Sequence, residues 1–216
     1  MEFSGTFELE ETTVDEVWLA LSDPVLVEQS LPGCQFLERV DDTDVDFDEL
    51  SEATAGHESE LSVVPEVIAE RAFEQGGHYA ALMQISVGPV NPTFETVVTI
   101  DQREYPEMSA VGEGSSSNSS FEMSSGMVLS ETENGVAVEW ETEADVFGKV
   151  AQMGQRVVNP VANRVVKRFF SSVQENLHDT RLGDADDVSA ESDANESGRG
   201  LVDRVLGRSN SDSDSS

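Results

Sequence analysis

Several residue types that mark particular protein classes are scarce in this sequence. The single cysteine, Cys34, excludes an internal disulfide and a metal cluster built on thiolates. Twelve Lys and Arg residues against 44 Asp and Glu leave too few cations to neutralise a nucleic-acid backbone, so no nucleic acid is expected as partner. No apolar run approaches the roughly 18 residues of a membrane span. Because residues 1–4 do not begin a secretion signal, we expect a cytoplasmic protein.

The acidic excess is the strongest compositional signal. A formal net charge of −32 makes the chain repel itself in dilute buffer. Molar salt shortens the Debye length to about 3 Å and removes that penalty. The composition therefore predicts an intracellular protein of an extreme halophile, of the haloarchaeal type, with a solvated acidic surface.

Alternating apolar residues predict a series of strands. Residues 2–10, 36–40, 78–87, 94–100, 108–114, 121–129 and 136–146 each place apolar side chains on one side. Short turns between the later strands predict an antiparallel meander with one face in the core. Two short helices interrupt the first strands, one capped by Thr12 or Thr13 and one opened by Pro24.

One long amphipathic helix is predicted directly after the last strand. At helical spacing one face carries Val150, Gly154, Val158, Val161, Ala162, Val165, Phe169, Val173 and Leu177. Such a wide apolar stripe has to lie on the sheet, and a sheet closed by one terminal helix can enclose an apolar pocket. The fold class predicted is α+β.

The predicted domain spans residues 1–182 and carries an insertion at 41–77. The first part of the insertion is acidic and loop-like, and a helix is predicted from Pro65 to Gln75. Residues 183–216 are too rich in Asp, Ser, Gly and Glu to bury a core and are predicted to be disordered. Within this tail, residues 199–208 form a basic amphipathic segment that we expect to dock to a membrane or a protein partner: Arg199, Leu201, Val202, Arg204, Val205, Leu206 and Arg208.

The order of the short motifs resembles one known family, the G subunit of carbon monoxide dehydrogenase, within the START-like, polyketide-cyclase-like (SRPBCC) superfamily. The resemblance covers residues 1–40 and about 78–177. The matching elements are Val17-Trp18, Ser22-Asp23-Pro24, Leu31-Pro32-Gly33-Cys34, Val87-Gly88-Pro89-Val90, Gly112-Glu113-Gly114, Ala144-Asp145-Val146-Phe147-Gly148-Lys149, Gln152-Met153-Gly154 and the helix from Arg156 to Phe170.

The resemblance implies a helix-grip fold, in which a curved antiparallel sheet wraps around a long C-terminal helix and leaves a hydrophobic cavity between them. Two features depart from the family pattern. Residues 41–77 stand in place of a tight turn, and Pro160 falls inside the long helix, where it removes a backbone hydrogen bond and is expected to bend the helix.

Inward-facing positions supply the candidate cavity lining. Small inward residues such as Gly5, Thr96, Ser125 and Thr142 predict unfilled volume opposite the helix, although solid packing is the alternative. The candidates are Tyr79, Met83, Ile85, Phe94, Val98, Phe121, Met123, Trp140, Val161, Val165 and Phe169. The serine-rich run 115–120 is interpreted as a flexible hairpin loop, with a gate over the cavity as the alternative.

The cations near the long helix allow two interpretations. They either pair with acidic neighbours and the helix C-terminus, or dock an acidic partner or lipid headgroups. The residues concerned are Lys149, Arg156, Arg164, Lys167, Arg168 and Arg181.

Three functional hypotheses follow. The first is a non-enzymatic accessory protein that binds a hydrophobic ligand, such as a quinone, and serves a molybdenum hydroxylase of the carbon monoxide dehydrogenase type at the inner membrane surface; the resemblance supplies that partner. The second is a cyclase- or hydrolase-like enzyme with Tyr79 or Glu95 as proton donor. The third is a lipid carrier without an enzyme partner. No catalytic residue, metal site or required cofactor is predicted, and Cys34 is expected to be a packed, unreactive thiol.

Overall fold

The computed structural model describes residues 1–56 and 60–187, with side chains described as far as Asp179. The elements in chain order are β1 (Glu2–Glu10), α1 (Val14–Ser22), α2 (Pro24–Ser30), β2 (Cys34–Val40), α3 (Phe47–Thr54), α4 (Pro65–Arg71), β3 (His78–Gln84), β4 (Thr93–Glu104), β5 (Glu107–Ser116), β6 (Ser119–Glu131), β7 (Gly135–Gly148), α5 (Lys149–Gln152) and α6 (Gln155–Asp187).

Seven strands form one antiparallel sheet in the order β1-β7-β6-β5-β4-β3-β2. Strands β3 to β7 follow one another as the predicted meander. The last strand, β7, also pairs with the first strand, β1, with Phe7 opposite Val138. The sheet alternates as expected, because Val136 and Val138 are buried on the inner side while Glu139 on the outer side is exposed. With α6 packed across the inner side, this confirms the α+β helix-grip fold.

Local capping explains where the first two helices begin. The Thr13 side chain accepts a hydrogen bond from the Glu16 backbone, and the Glu16 carboxylate accepts one from the Thr13 backbone, which is a capping box. Asp23 caps α2 through the Val25 N–H, and Pro24 occupies the first helical position. Both helices therefore form where the sequence predicts them.

The helix after β7 is interrupted, which corrects the predicted continuous helix. α5 ends at Gln152, and α6 begins at Gln155 after Gly154, whose φ of +76° is a left-handed conformation that suits glycine. The predicted apolar stripe nevertheless continues across the break, and five of its members beyond the break pack on the two cores: Val158, Val161, Phe169, Val173 and Leu177. One position differs, since Val166 packs on the main core and Val165 on neither. The residues of α6 buried most deeply are Val158, Phe170, Val173 and Leu177.

The C-terminal boundary of α6 also differs from the sequence prediction. α6 continues to Asp187, beyond Leu182, where the acidic tail was expected to begin. Pro160 lies exposed at the sixth position of α6, beyond its first turn, and because it has no N–H it cannot donate the helical hydrogen bond to the Arg156 carbonyl.

The insertion contains more structure than the sequence predicted. Its acidic first part forms α3, whose first turn is capped by the Asp46 carboxylate, and the Phe47 ring stacks on Phe36 with 6.4 Å between centroids. This helix was missed because none of its residues is buried and its apolar content is low. α4 begins at Pro65 as predicted but ends at Arg71, and Phe73 then turns into the core with its N–H on the Ser22 carbonyl.

One buried ion pair ties the insertion to the first helices. Arg71 Nη2 lies 2.7 Å from Asp23 Oδ2, and the Asp23 side chain is only 1% exposed. The Arg39–Glu74 pair is equally short at 2.6 Å, but both side chains are more than half exposed. A buried carboxylate that loses its cation is costly, whereas exposed pairs are screened by solvent.

We predict that Arg71→Gln lowers the free energy of unfolding by about 2 kcal/mol, since it leaves the Asp23 carboxylate buried without its cation. Arg39→Gln changes the net charge equally and should have little effect, which makes it the matched control. Chemical denaturation followed by circular dichroism measures both variants. Equal destabilisation would contradict the assignment of Arg71 as the anchor of the insertion.

Candidate functional site

An apolar cavity lies between the inner face of the sheet and α6. Its volume is about 280 Å³ and it opens to solvent. The lining residues come from α1, α2, the insertion, β4 to β7 and α6: Leu21, Val27, Phe73, Val98, Ile100, Met108, Ser109, Ala110, Ser125, Gly126, Met127, Trp140, Thr142, Val166, Phe169 and Phe170.

The cavity exists because one row of side chains across the sheet is small. The register places Ala110 opposite Ser125, and Ser125 opposite Thr142, on three neighbouring strands. Val166 and Phe169 of α6 line the opposite wall. Protein interiors are close-packed, so a row of short side chains beneath a rigid helix leaves space that larger side chains would fill.

One polar pair interrupts the apolar wall. Ser125 Oγ lies 2.8 Å from Thr142 Oγ1, and Ser125 Oγ can also donate to the Glu141 carbonyl at 3.1 Å. Hydroxyl groups both donate and accept, so the pair can offer either a hydrogen or a lone pair to a ligand. A few placed polar groups in an apolar cavity are typical of ligand sites.

The predicted lining residues divide among several places. Val98, Trp140 and Phe169 line the cavity, and Met83 packs on the edge of the main core. A second apolar cluster, near the α5–α6 break, contains Ile85, Phe94, Phe121 and Val161. Met123 lies over Gly112, because a Cβ built on that glycine would come within 3.1 Å of the Met123 methyl. Val165 belongs to neither cluster.

Tyr79 packs in the core and does not line the cavity. It is 1% exposed, and its ring contacts Phe73 edge-on with 4.7 Å between centroids. Its hydroxyl oxygen accepts a hydrogen bond of 2.9 Å from the Glu74 N–H. Burial raises the pKa of Tyr79, which keeps the phenol protonated at neutral pH. These contacts attach the insertion to β3, and the Tyr79 hydroxyl is bonded to the backbone of the insertion.

The other candidate chemical groups lie apart from the cavity. Glu95 is exposed on the outer face of β4, as the alternation of Phe94 and Thr96 predicts. The ring of His78 contacts Thr99 Oγ1 at 2.8 Å on the sheet. Within residues 1–56 and 60–187 no group of three His, Cys, Asp or Glu side chains is arranged to hold a metal ion.

The serine-rich run forms part of two strands, which corrects its interpretation as a flexible loop. β5 reaches Ser116 and β6 starts at Ser119, so only Ser117 and Asn118 make the turn. The buried Ser119 Oγ accepts a hydrogen bond of 3.0 Å from the Val150 N–H and so anchors the start of α5. A gate built on this run is wrong for the same reason.

Sequence reasoning missed the parts of the lining that depend on tertiary packing. Leu21, Val27 and Phe73 come from the first helices and the insertion, and no local pattern indicates that they meet α6. Ser125 and Thr142 carried a usable signal, since both are small polar residues at inward positions of otherwise apolar strands. The predicted docking segment from Arg199 to Arg208 lies outside the described residues.

The family model of the carbon monoxide dehydrogenase G subunit (CoxG) matches residues 70–178, from the end of α4 through most of α6. The chain belongs to this family. The matched range contains the meander and most of the cavity wall, whereas β1, α1, α2 and β2 lie outside it. No curated protein matches the sequence.

Solved structures similar to this CoxG family member share its fold. A conserved protein of Geobacillus kaustophilus has a TM-score of 0.63 at 21% identity, over 83% of this chain and 97% of its own. The Zhui aromatase/cyclase of Streptomyces sp. R1128 has a TM-score of 0.51 at 11% identity, over 82% and 93%. A protein of Nitrosomonas europaea has a TM-score of 0.51 at 13% identity, over 84% and 97%. Likeness at these identities shows the fold alone.

The Leu-Pro-Gly-Cys turn of this CoxG family member holds its thiol in a protected position. Cys34 Sγ donates to the Phe36 carbonyl at 3.2 Å. Burial, and secondly the Glu28 carboxylate, raise the pKa of Cys34 to about 12. The reactive thiolate is therefore rare at neutral pH.

We predict that iodoacetamide at pH 8 alkylates Cys34 in the folded protein roughly a hundredfold or more slowly than in the unfolded chain. Mass spectrometry of native and denatured samples measures the two rates. Since the pKa is raised, the native rate should still be rising above pH 10, where the unfolded thiol is already ionised. Similar native and unfolded rates at pH 8 would show that the thiol is accessible and reactive.

Proposed function

We propose that this protein is a non-enzymatic accessory protein that binds a hydrophobic small molecule and serves a molybdenum hydroxylase of the carbon monoxide dehydrogenase type. The observation that carries the proposal is the apolar cavity of about 280 Å³ between sheet and α6. The family is named for a subunit of carbon monoxide dehydrogenase, which supports the enzyme partner. The separation of Tyr79 and Glu95 from the cavity supports a binding role over a catalytic one.

A quinone is the ligand class that suits the cavity best. Ligand pockets usually measure about 300–1,000 Å³, so this cavity would take a ring-sized head group with an isoprenoid chain leaving through the opening. The aromatic walls at Trp140 and Phe169 offer stacking surfaces, and the Ser125–Thr142 pair offers a hydrogen to a ring carbonyl. As cargo, the quinone would accept two electrons and two protons from the hydroxylase and leave as the quinol.

The proposed site of action is the inner face of the membrane. Among the described residues no helix combines the length and the apolar character needed to cross a bilayer. A quinone carrier has to meet the membrane to exchange its cargo, and the amphipathic segment from Arg199 to Arg208 is the proposed peripheral contact. The protein is otherwise proposed to reside in the cytoplasm.

We predict that a short-chain menaquinone quenches the fluorescence of Trp140, because this indole lines the cavity. Ala110→Phe places a large ring in the row of small residues and should weaken binding at least about tenfold. Val111→Phe is the matched control, since Val111 is the next residue of β5 and is exposed on the opposite face. A fluorescence titration gives the dissociation constant of each protein.

Trp140→Phe should abolish most of the quenching while Trp18, which is fully buried, remains. If the quinone quenches neither tryptophan, or binds both Phe variants of β5 equally well, the cavity is not its site.

A further inference from the structure

One segment of this acidic chain contains no acidic residue at all. Residues 146–174 contain five of the twelve Lys and Arg residues and none of the 44 Asp and Glu. The segment includes the end of β7, α5 and the first twenty residues of α6. Acidic residues are frequent on both sides of it, at Asp145 and again at Glu175. The charge of the chain is therefore segregated along the sequence.

The structure places these cations together on the solvent side of the helix that closes the cavity. All five side chains are exposed: Lys149, Arg156, Arg164, Lys167 and Arg168. At 100° per residue the four cations of α6 fall within about one third of the helix circumference. Pro160 and Asn163 share this side, and the buried Val158 and Val173 lie on the other. We call these five cations the basic strip.

The cations of the basic strip have no ionic partner among the side chains that the structure describes. The ion pairs found there for other cations are Arg39 with Glu74 and Arg71 with Asp23. The predicted pairing with acidic neighbours is therefore absent for these five cations among the described side chains, and the side chain of Arg181 lies outside the described residues.

The outer face of the sheet has the opposite charge. Glu113 lies opposite Glu122, and Glu122 opposite Asp145, so three carboxylates stand in one row across β5, β6 and β7. Like charges directly across neighbouring strands are unfavourable, and an unpaired basic strip elsewhere on the same molecule does nothing to relieve them. Pairing within the molecule therefore does not explain the charge arrangement.

We propose that the basic strip docks this protein onto a carboxylate-rich surface of the molybdenum hydroxylase; this inference rests on the proposed function. Three of the five cations are arginines, whose planar guanidinium binds carboxylates with two parallel hydrogen bonds. Arg156 and Arg168 are twelve residues apart, which is about 18 Å along the helix axis. A strip of that length fits a standard interface of about 800 Å² on each partner.

A protein surface suits the strip better than a lipid surface. A helix that lies in a membrane interface buries an apolar face in the lipid, but the apolar face of α6 is already packed on the sheet. Among the described residues of the segment, one large hydrophobic side chain is exposed near a cation, that of Phe147 in β7 near Lys149, and a single ring buries little area in lipid. Lipid adhesion would therefore depend on charge alone, whereas the arginines can also form directed hydrogen bonds with the carboxylates of a protein surface.

The basic strip and the cavity occupy two sides of the same helical turns. Val166 and Phe169 line the cavity, while Lys167 and Arg168, next to them in sequence, face solvent. A partner on the strip is thus separated from the ligand by one helix, a thickness of about 10 Å. Docking would hold the cavity beside the enzyme that reduces its cargo.

The test measures binding of the full-length protein to the purified hydroxylase holoenzyme by biolayer interferometry. Arg164→Gln, Lys167→Gln and Arg168→Gln are combined in one variant, and we expect it to bind at least about thirtyfold more weakly than the wild type. The matched control combines Gln84→Glu, Gln102→Glu and Ser130→Glu, which adds the same negative charge at exposed sheet positions outside the strip. Circular dichroism checks that each variant is folded, and the quinone titration checks that its cavity still binds the quinone.

Loss of hydroxylase binding in the strip variant alone, with quinone binding retained, supports the proposal. Equal binding of the wild type and both variants overturns the docking surface and leaves the proposed function standing. Wild-type protein that binds no hydroxylase overturns both. Wild-type protein that binds phosphatidylglycerol vesicles through the strip, but binds neither phosphatidylcholine vesicles nor the hydroxylase, overturns the protein partner in favour of lipid.

Discussion

The packing of α6 on the inner face of the sheet is the interaction on which the rest of the structure depends. The helix contributes Phe170, Val173 and Leu177 to the main core and Val158 to the second cluster. Between these contacts the sheet presents Ala110, which is too small to reach the helix. The same packing that stabilises the fold therefore leaves the cavity open, because the helix cannot approach the sheet more closely without a clash between the side chains already packed at both ends.

The closing helix also divides the molecule electrostatically. Its inner side is apolar, and its outer side carries cations without acidic neighbours, in a chain whose net charge is −32. Burial of the inner side is required for folding, whereas nothing in the packing requires exposed arginines on the outer side. Ligand binding and partner docking can therefore be separated by mutation, since Ala110 and Arg164 lie on different surfaces.

Local chemistry made much of the fold predictable. Alternation located the strands, and Thr13 and Pro24 marked the starts of α1 and α2, because both signals act within a few residues. Non-local and weakly patterned features were missed. Periodicity did not indicate the break at Gly154, and α3 was missed because it has few apolar residues and buries none of its side chains. Of the cavity lining, Val98, Trp140 and Phe169 were predicted, but Leu21 and Phe73 meet the helix only through tertiary contacts.

The central claim is that the space beneath α6 holds a hydrophobic molecule. Native mass spectrometry of the protein purified from its own cells, followed by organic extraction, tests this claim most directly. We expect a mass increment that corresponds to one prenylated quinone per chain, and recovery of that quinone in the extract. A folded protein that carries no ligand and takes up no added menaquinone would contradict the claim.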